Sequence, residues 1–176
     1  MGTWGSRGLR GARFEELINI TNEKYRELGL ALVQKIPTPI TPVEIDDNRH
    51  ITLAYFEKRS TVDYIGIVQS YPICFDAKEC ASSNFAMSNV HEHQFSFMKD
   101  FEGQGGISFL LIYFTQTDEI YYMRFSELSR FMERAEEGTS KHVNISELDP
   151  AYFLVPEQSL KVHYLEGVKS DIAERK

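Results

Sequence analysis

Apolar residues recur every three or four positions near the start of the chain, in the segment ARFEELINITNEKYREL. This spacing predicts an amphipathic helix, and Gly29 follows at the position where a glycine commonly ends one. Two later segments with the same periodicity predict further helices, VHEHQFSFMKDF and ELSRFMERAEE, the latter ending at Gly138. The residues of the central helix that are expected to face the core are Val90, Phe97, Met98 and Phe101.

Extended segments lie between these helices. LALVQKI, HITLAYF and TVDYIGIVQSYPICFDAKE are rich in branched and aromatic residues, which is typical of strands. ISFLLIYF is apolar without alternation, as expected of a central strand covered on both faces, and IYYMRF follows it after the turn TQTDE. Helices and strands that alternate in this way predict an α/β fold with a sheet flanked by helices.

Three prolines, Pro37, Pro39 and Pro42, separate LALVQKI from HITLAYF. Proline excludes a helix and interrupts the hydrogen bonds of a sheet. A structureless loop from about residue 37 to residue 58 would be unusually long for a compact domain. We therefore expect these residues to form a β-ribbon that projects between two core strands.

The chain has 176 residues, of which 42% are hydrophobic, enough for one sizeable core and a single domain over residues 1–176. Its apolar runs are too short to span a bilayer, and its N-terminus lacks the apolar region of a secretory signal. Cys74 and Cys80 are too few for a disulfide framework. The sequence thus predicts a soluble, cytoplasmic protein without a membrane partner.

The net charge of −7 at first argues against a nucleic-acid partner, because phosphate binding depends on lysine and arginine. The charge is unevenly distributed, however. Residues 1–13 contain Arg7, Arg10 and Arg13 and no acidic residue. We expect a flexible basic arm there that contacts phosphates, with a solvated tail of no function as the alternative.

The segment TVDYIGIVQSYPICFDAKE places charged residues among apolar ones. If it folds into an antiparallel hairpin with a two- or four-residue loop centred on Gln69 and Ser70, Asp63 lies directly opposite Asp76. Directly opposed residues share a face of the sheet, and the two-residue period adds Lys78 to that face. A three-residue loop would break this register, and Gln-Ser is not a preferred two-residue turn.

Two carboxylates at this separation repel each other unless one is protonated or a divalent cation lies between them. Hard oxygen ligands suit Mg²⁺, for which Mn²⁺ can substitute. Lys78 could then orient or deprotonate an attacking water, or stabilise charge in the transition state. An ordinary ion pair between Asp76 and Lys78 on a solvated strand is the alternative.

Asp63 followed by Asp76-Ala77-Lys78 resembles the D…(D/E)-x-K signature of the restriction-endonuclease-like nucleases. FEELINITNEKY, QKIPTPI, AYFEKRSTVDYIGI, FDAKE, HEHQ and GGISFLLIYF are similar, in that order, to the RecU-type Holliday junction resolvases of Gram-positive bacteria. The resemblance covers about Gly8 to Leu148. It implies a restriction-endonuclease-like mixed β-sheet flanked by helices, with the ribbon as a stalk over the centre of a DNA junction.

The resemblance also implies an activity and its residues. The protein would be a Mg²⁺-dependent endonuclease that resolves four-way DNA junctions as a homodimer, without a small-molecule cofactor. Asp63 and Asp76 would bind the metal, Lys78 would be the catalytic lysine, and Glu15 would match an acidic residue of the first helix. The chain departs from the family pattern at Asp76, where glutamate is common, and at Val62, where threonine is common.

Other residues have less certain roles. Gln94 lies close to an apolar stripe and could support the active site or be a satisfied core residue. Lys35, Lys58 and Arg59 could contact DNA phosphates or simply be exposed basic residues. A zinc site built from Cys74, Cys80, His91 and His93 lacks a structural-zinc spacing. The competing functions are a junction-binding module without activity and a nuclease for another branched DNA.

Overall fold

A computed structural model describes residues 8–56, 61–157 and 160–175, and all of their side chains except those of residues 8–12 and 56. The helices are α1 (Gly8–Glu27), α2 (Glu92–Gly103), α3 (Phe125–Glu136) and α4 (Leu165–Glu174). The strands are β1 (Ala31–Lys35), β2 (Ile40–Ile45), β3 (Ile51–Phe56), β4 (Tyr64–Val68), β5 (Tyr71–Cys80), β6 (Asn84–Ala86), β7 (Ile107–Phe114), β8 (Glu119–Arg124) and β9 (His142–Asn144).

A five-stranded sheet in the order β1-β4-β5-β7-β8 forms the centre of the fold. β5 and β7 run parallel and the other neighbours run antiparallel, so the sheet is mixed. On one face, Phe14 of α1 packs on Tyr113 and Gly167 of α4 lies against Tyr122. On the other face, Ser108 bonds to the Met98 carbonyl of α2. This architecture confirms the predicted mixed sheet flanked by helices.

Buried aromatic rings cross the sheet on the face that α1 and α4 cover. Tyr64, Phe75, Phe109 and Tyr122 come from β4, β5, β7 and β8, and successive ring centroids are 4.7, 4.7 and 4.3 Å apart. Stacked pairs of this kind each add about 0.5–1.5 kcal/mol beyond the burial of their area. The stack therefore fixes how β4 pairs with β5, which is the pairing that positions the charged residues on the opposite face.

The ribbon predicted between residues 37 and 58 is present as β2 and β3, which pair antiparallel in a sheet of their own. The pairing shifts register between Pro42 and Glu44, where proline cannot donate a hydrogen bond. At the turn, Asp46 accepts hydrogen bonds from the backbone of Asn48 and His50. The large apolar side chains that the ribbon exposes are Ile40, Val43, Ile45, Ile51, Leu53 and Tyr55.

The N-terminal helix starts earlier than the sequence predicted. α1 begins at Gly8, so residues 8–13 of the expected flexible arm belong to a helix. Adding turns to an existing helix costs less than starting one, and leucine, alanine and arginine favour helices. Residues 1–7, including Arg7, lie outside the described residues.

The C-terminal helix α4 was not predicted. It is held by a polar network in which Asp171 accepts a hydrogen bond from Tyr122 at 3.1 Å. Arg175 bridges Asp171 and Glu102 through charge-assisted hydrogen bonds of 2.7–3.2 Å.

Every helix among the described residues is too short or too polar to span a lipid bilayer.

Candidate metal centre

The hairpin of β4 and β5 brings Asp63 and Asp76 together. Tyr64 pairs with Phe75, so Asp63, one residue before β4, lies opposite Asp76. Val68 pairs with Tyr71, which leaves Gln69 and Ser70 as a two-residue turn. Gln69 has a positive φ of 54° there, a strain that the paired strands must offset. The predicted register is confirmed despite the unfavourable turn residues.

The backbone of each strand holds the carboxylate of the other. The Asp63 N–H donates to Asp76 Oδ1 at 3.1 Å, and the Ala77 N–H donates to Asp63 Oδ2 at 3.0 Å. Asp76 is fully buried, whereas Asp63 is partly accessible. The two carboxylates are therefore fixed side by side, with Asp63 closer to solvent.

Lys78 and Gln94 complete the contacts of Asp76. The Lys78 ammonium forms an ion pair with Asp76 Oδ2, and the Gln94 amide also donates to that oxygen at 2.9 Å. The Gln94 carbonyl accepts from Lys78 at 3.3 Å and from the His91 backbone N–H at 3.1 Å. Because a backbone N–H can only donate, His91 fixes the amide with its oxygen toward Lys78 and its nitrogen toward Asp76.

The sequence singled out Gln94 but not the contact that orients it. Gln94 is the third residue of α2 and reaches back to His91 at the N-cap position, the arrangement of a capping box. The spacing H-x-x-Q before a helix carries that signal. His91 was missed because capping boxes usually begin with serine or threonine.

The pKa of Asp63 is raised to about 7. Burial is the main cause, followed by the negative charge of Asp76 and a hydrogen bond between the two carboxyl groups. The Ala77 N–H and the Lys78 ammonium act in the opposite direction. Near neutral pH the pair thus retains a proton that a cation could replace.

The donor set fits a hard divalent cation. Carboxylate oxygens from two strands are the ligands that Mg²⁺ and Mn²⁺ prefer, and Mg²⁺ usually keeps several waters. The described residues contain no group of three or more His, Cys, Asp or Glu side chains that could hold a metal. A cation at Asp63 and Asp76 would therefore complete its shell with water and substrate oxygens.

The zinc alternative does not fit the described residues. Burial raises the pKa of the Cys74 thiol to about 12, and its sulfur contacts Ser108. Cys80 bonds to the Ser82 carbonyl. The rings of His91 and His93 stack with centroids 5.5 Å apart. They stack because His91 is extended at the N-cap, outside the helix.

Glu15 lies on α1, where its carboxylate is 2.5 Å from the Lys35 ammonium. The Tyr64 hydroxyl anchors this part of α1 by donating to the Glu15 carbonyl and to Asn19. The structure thus pairs Glu15 with Lys35 rather than with the aspartates. Its predicted part in metal or water binding stays a prediction.

The predicted DNA-binding residues have mixed positions. Arg13 is exposed on α1, and Lys35 lies at the end of β1, where the adjacent Ile36 N–H bonds to the Asp63 carbonyl at 2.8 Å. Lys35 is therefore near the hairpin that carries Asp63 and Asp76. The side chain of Arg10, and residues Arg7, Lys58 and Arg59, lie outside the described part of the chain.

Comparison with known proteins agrees with the sequence resemblance. A protein of Pediococcus pentosaceus named Holliday junction resolvase RecU is 38% identical over 167 residues, which is 92% of this chain and 83% of that protein. Proteins of the same name from Lactococcus lactis and Staphylococcus carnosus are 38% and 35% identical over 92% of this chain, covering 78% and 80% of their own lengths.

A solved structure of Archaeoglobus fulgidus Hjc, a Holliday junction resolvase, covers 90% of this chain and 96% of its own, with a TM-score of 0.46 and 12% identity. The model of the family described as Recombination protein U, RecU, matches residues 9–170. That match spans nearly the whole chain, and the named relatives share more than a third of their aligned residues with it. The chain belongs to the RecU family.

Proposed function

We propose that this chain is a Mg²⁺-dependent endonuclease that resolves four-way DNA junctions by paired symmetric nicks in recombination and repair. The relatives at 35–38% identity are named Holliday junction resolvases, which supports the substrate. The observation that carries the chemistry is the convergence of Asp63 and Asp76 with the ammonium of Lys78. An ordinary surface ion pair would not require a fully buried aspartate.

The residues of the site divide the work of phosphodiester hydrolysis. Asp63 and Asp76 would hold the cation, which when bound polarises the phosphate and lowers the pKa of a coordinated water. Asp63 must first release its proton. Lys78 lies beside Asp76 with 18% of its side chain exposed, so its ammonium can reach solvent and stabilise charge on a phosphate oxygen. Gln94 keeps Asp76 and Lys78 in place.

The position of the ribbon supports a branched substrate. The ribbon leaves the sheet after β1 and returns before β4, at the end where Asp63 lies. A structure at that end can contact DNA while the scissile phosphate is at the metal centre. A four-way junction offers two equivalent phosphates, so a two-fold symmetric homodimer is the natural partner.

Cleavage of synthetic DNA tests this proposal. The protein is incubated with four-way, Y-form and linear duplex DNA, with and without Mg²⁺, and each strand is labelled separately. Paired symmetric nicks in the four-way junction alone are expected. Preferential cutting of Y-form DNA would indicate a nuclease for another branched substrate, and junction binding without cutting would indicate an inactive binding module.

The variant Asp63→Ala links the activity to the site. It should abolish cutting and leave the fold and much of the junction binding intact, because it removes a metal ligand and a repulsive charge together. Asp100→Ala, at an exposed position of α2, is the matched control and should cut normally. Metal-dependent cutting retained by Asp63→Ala would contradict the proposed site.

A further inference from the structure

The carboxylate of Asp76 already accepts most of the hydrogen bonds that it can accept. Its Oδ1 accepts the Asp63 N–H at 3.1 Å, and its Oδ2 accepts both the Gln94 amide at 2.9 Å and the Lys78 ammonium. A carboxylate has about four lone pairs, which are shared equally between its two oxygens. Both positions on Oδ2 are therefore taken. A cation that binds Asp76 has to use the remaining position on Oδ1 or displace a donor from Oδ2.

The two donors on Oδ2 differ in how firmly they are held. Gln94 is 6% exposed, and the His91 N–H fixes its carbonyl at 3.1 Å. The Lys78 ammonium, by contrast, ends a flexible side chain that is 18% exposed. The pairing of β4 with β5 ends at Tyr64 and Phe75, so Lys78 lies beyond the last paired residues of the hairpin. Of the two donors, the ammonium is the one that can move away.

The ammonium also supplies the charge that a buried carboxylate requires. Asp76 is fully buried, and an unpaired carboxylate at that position would strongly destabilise the fold. Lys78 thus neutralises Asp76 as a cation would. An ammonium and a divalent cation beside the same carboxylate repel each other, so the binding of one weakens the binding of the other.

We propose that Lys78 occupies the place of the cation at Asp76 and leaves it when the cation binds, an inference that rests on the metal site of the proposed function. Lys78 therefore lowers the affinity of the site for Mg²⁺, because cation binding has to break the ion pair with Asp76. The ammonium becomes available to a phosphate oxygen only when the cation is bound. The positive charge that acts on the substrate is thus released together with the loading of the metal.

Calorimetric titration of the full chain with Mg²⁺ alone, without DNA and at one fixed pH, tests this competition. Lys78→Met removes the competing charge and should bind Mg²⁺ about tenfold more tightly, since a neighbouring charge commonly changes such an equilibrium by about that factor. Lys78→Arg retains the charge and should bind Mg²⁺ much as the unsubstituted chain does. Lys99→Met, at an exposed position of α2, is the control and should also leave the affinity unchanged. Damage to the fold would weaken binding, so a gain in affinity separates the competition from a purely structural role.

Nuclear magnetic resonance of the lysine ammonium groups provides a second measurement on the unsubstituted chain. An ammonium held in a partly buried ion pair exchanges its protons slowly, so the Nζ signal of Lys78 should be visible without Mg²⁺. Lys78→Arg assigns that signal by its loss. Addition of Mg²⁺ should shift or remove the signal at the concentrations that titrate in calorimetry. This measurement decides the question even if Lys78→Met does not fold.

Equal or weaker Mg²⁺ affinity in folded Lys78→Met, or a Lys78 signal that bound Mg²⁺ leaves unchanged, would overturn the proposal. A chain that binds no Mg²⁺ would overturn it too, although paired nicks made by that chain in a four-way junction would leave the nuclease assignment standing. Tighter binding by Lys78→Met in a chain that cuts no junction would have the reverse meaning. The exchange at Asp76 would then stand, and the proposed activity would not.

Discussion

The chain contains two antiparallel hairpins of opposite character, the β4–β5 hairpin and the β2–β3 ribbon. The first is buried from Ile73 to Asp76, stacks Tyr64 on Phe75 and satisfies its charged residues through hydrogen bonds. The second is exposed and shifts register near Pro42. The contrast shows that core packing, rather than turn residues, fixes the pairing that positions the proposed metal site, whereas the ribbon lacks such packing.

Phe75→Ala is expected to have the largest effect on stability. Phe75 is fully buried between Tyr64 and Phe109, so its removal should lower the free energy of unfolding by about 3–5 kcal/mol. Tyr55→Ala on the ribbon, where Tyr55 is 56% exposed, should change it by less than about 0.5 kcal/mol. Urea unfolding measures both, and similar losses would remove the contrast between the hairpins.

Lys78→Met separates chemistry from folding within the buried hairpin. Loss of the ammonium should reduce the single-turnover cleavage rate by about 100- to 1,000-fold, since it would remove the charge that we propose stabilises the transition state. Junction affinity measured in Ca²⁺ should change little. Lys99→Met, at an exposed position of α2, is the control. Cleavage by Lys78→Met at the original rate would mean that the lysine is only a counter-charge for Asp76.

The Asp63–Asp76 pair makes the free energy of unfolding depend on pH. Because the pKa of Asp63 is raised to about 7 from 3.8, the folded protein binds a proton that the unfolded chain releases. The contribution of this bound proton to the free energy of unfolding is present at low pH and is lost as pH rises toward about 7. Mg²⁺ at the proposed site would have to displace the proton, so its affinity, measured by calorimetry, should fall about tenfold per pH unit below 7.

Asp63→Asn supplies the control for that titration. It should remove this contribution to the pH dependence of metal-free stability, while Asp100→Asn should preserve it. An unchanged pH profile in Asp63→Asn would assign the proton to another group.

The ribbon should affect binding rather than chemistry. Leu53→Asp places a negative charge on an exposed apolar side chain and should weaken four-way junction binding by about tenfold through phosphate repulsion. The affinity for linear duplex DNA should change less. Gel-shift titrations of both substrates at one salt concentration measure the difference, and equal losses would separate the ribbon from junction recognition.

The sequence predicted the register of the β4–β5 hairpin correctly because its charged residues and its aromatic residues alternate between the two faces. Alternation assigned Asp63, Asp76 and Lys78 to one face, and a one-residue slip would have buried them among the aromatic rings. The prolines similarly predicted the ribbon. Gln94 stood out because a polar residue beside an apolar stripe needs a partner.

Two features, helix α4 and the ion pair of Glu15 with Lys35, could not be predicted from the pattern of residues along the chain. α4 has a sparse apolar stripe and is held by Asp171 and Arg175, whose partners Tyr122 and Glu102 are distant in sequence. The pairing of Glu15 with Lys35 likewise depends on how α1 crosses β1. Contacts between such distant polar residues leave no periodic signal in the chain.

The order of the strands has a consequence for synthesis on the ribosome. Asp63 and Asp76 emerge first, but β5 pairs along its length with β7, and Gln94 belongs to the intervening helix. A nascent chain that ends before Phe114 lacks the strand that supports the two aspartates from the other side. The proposed site can therefore be complete only after nearly two thirds of the polypeptide has been translated.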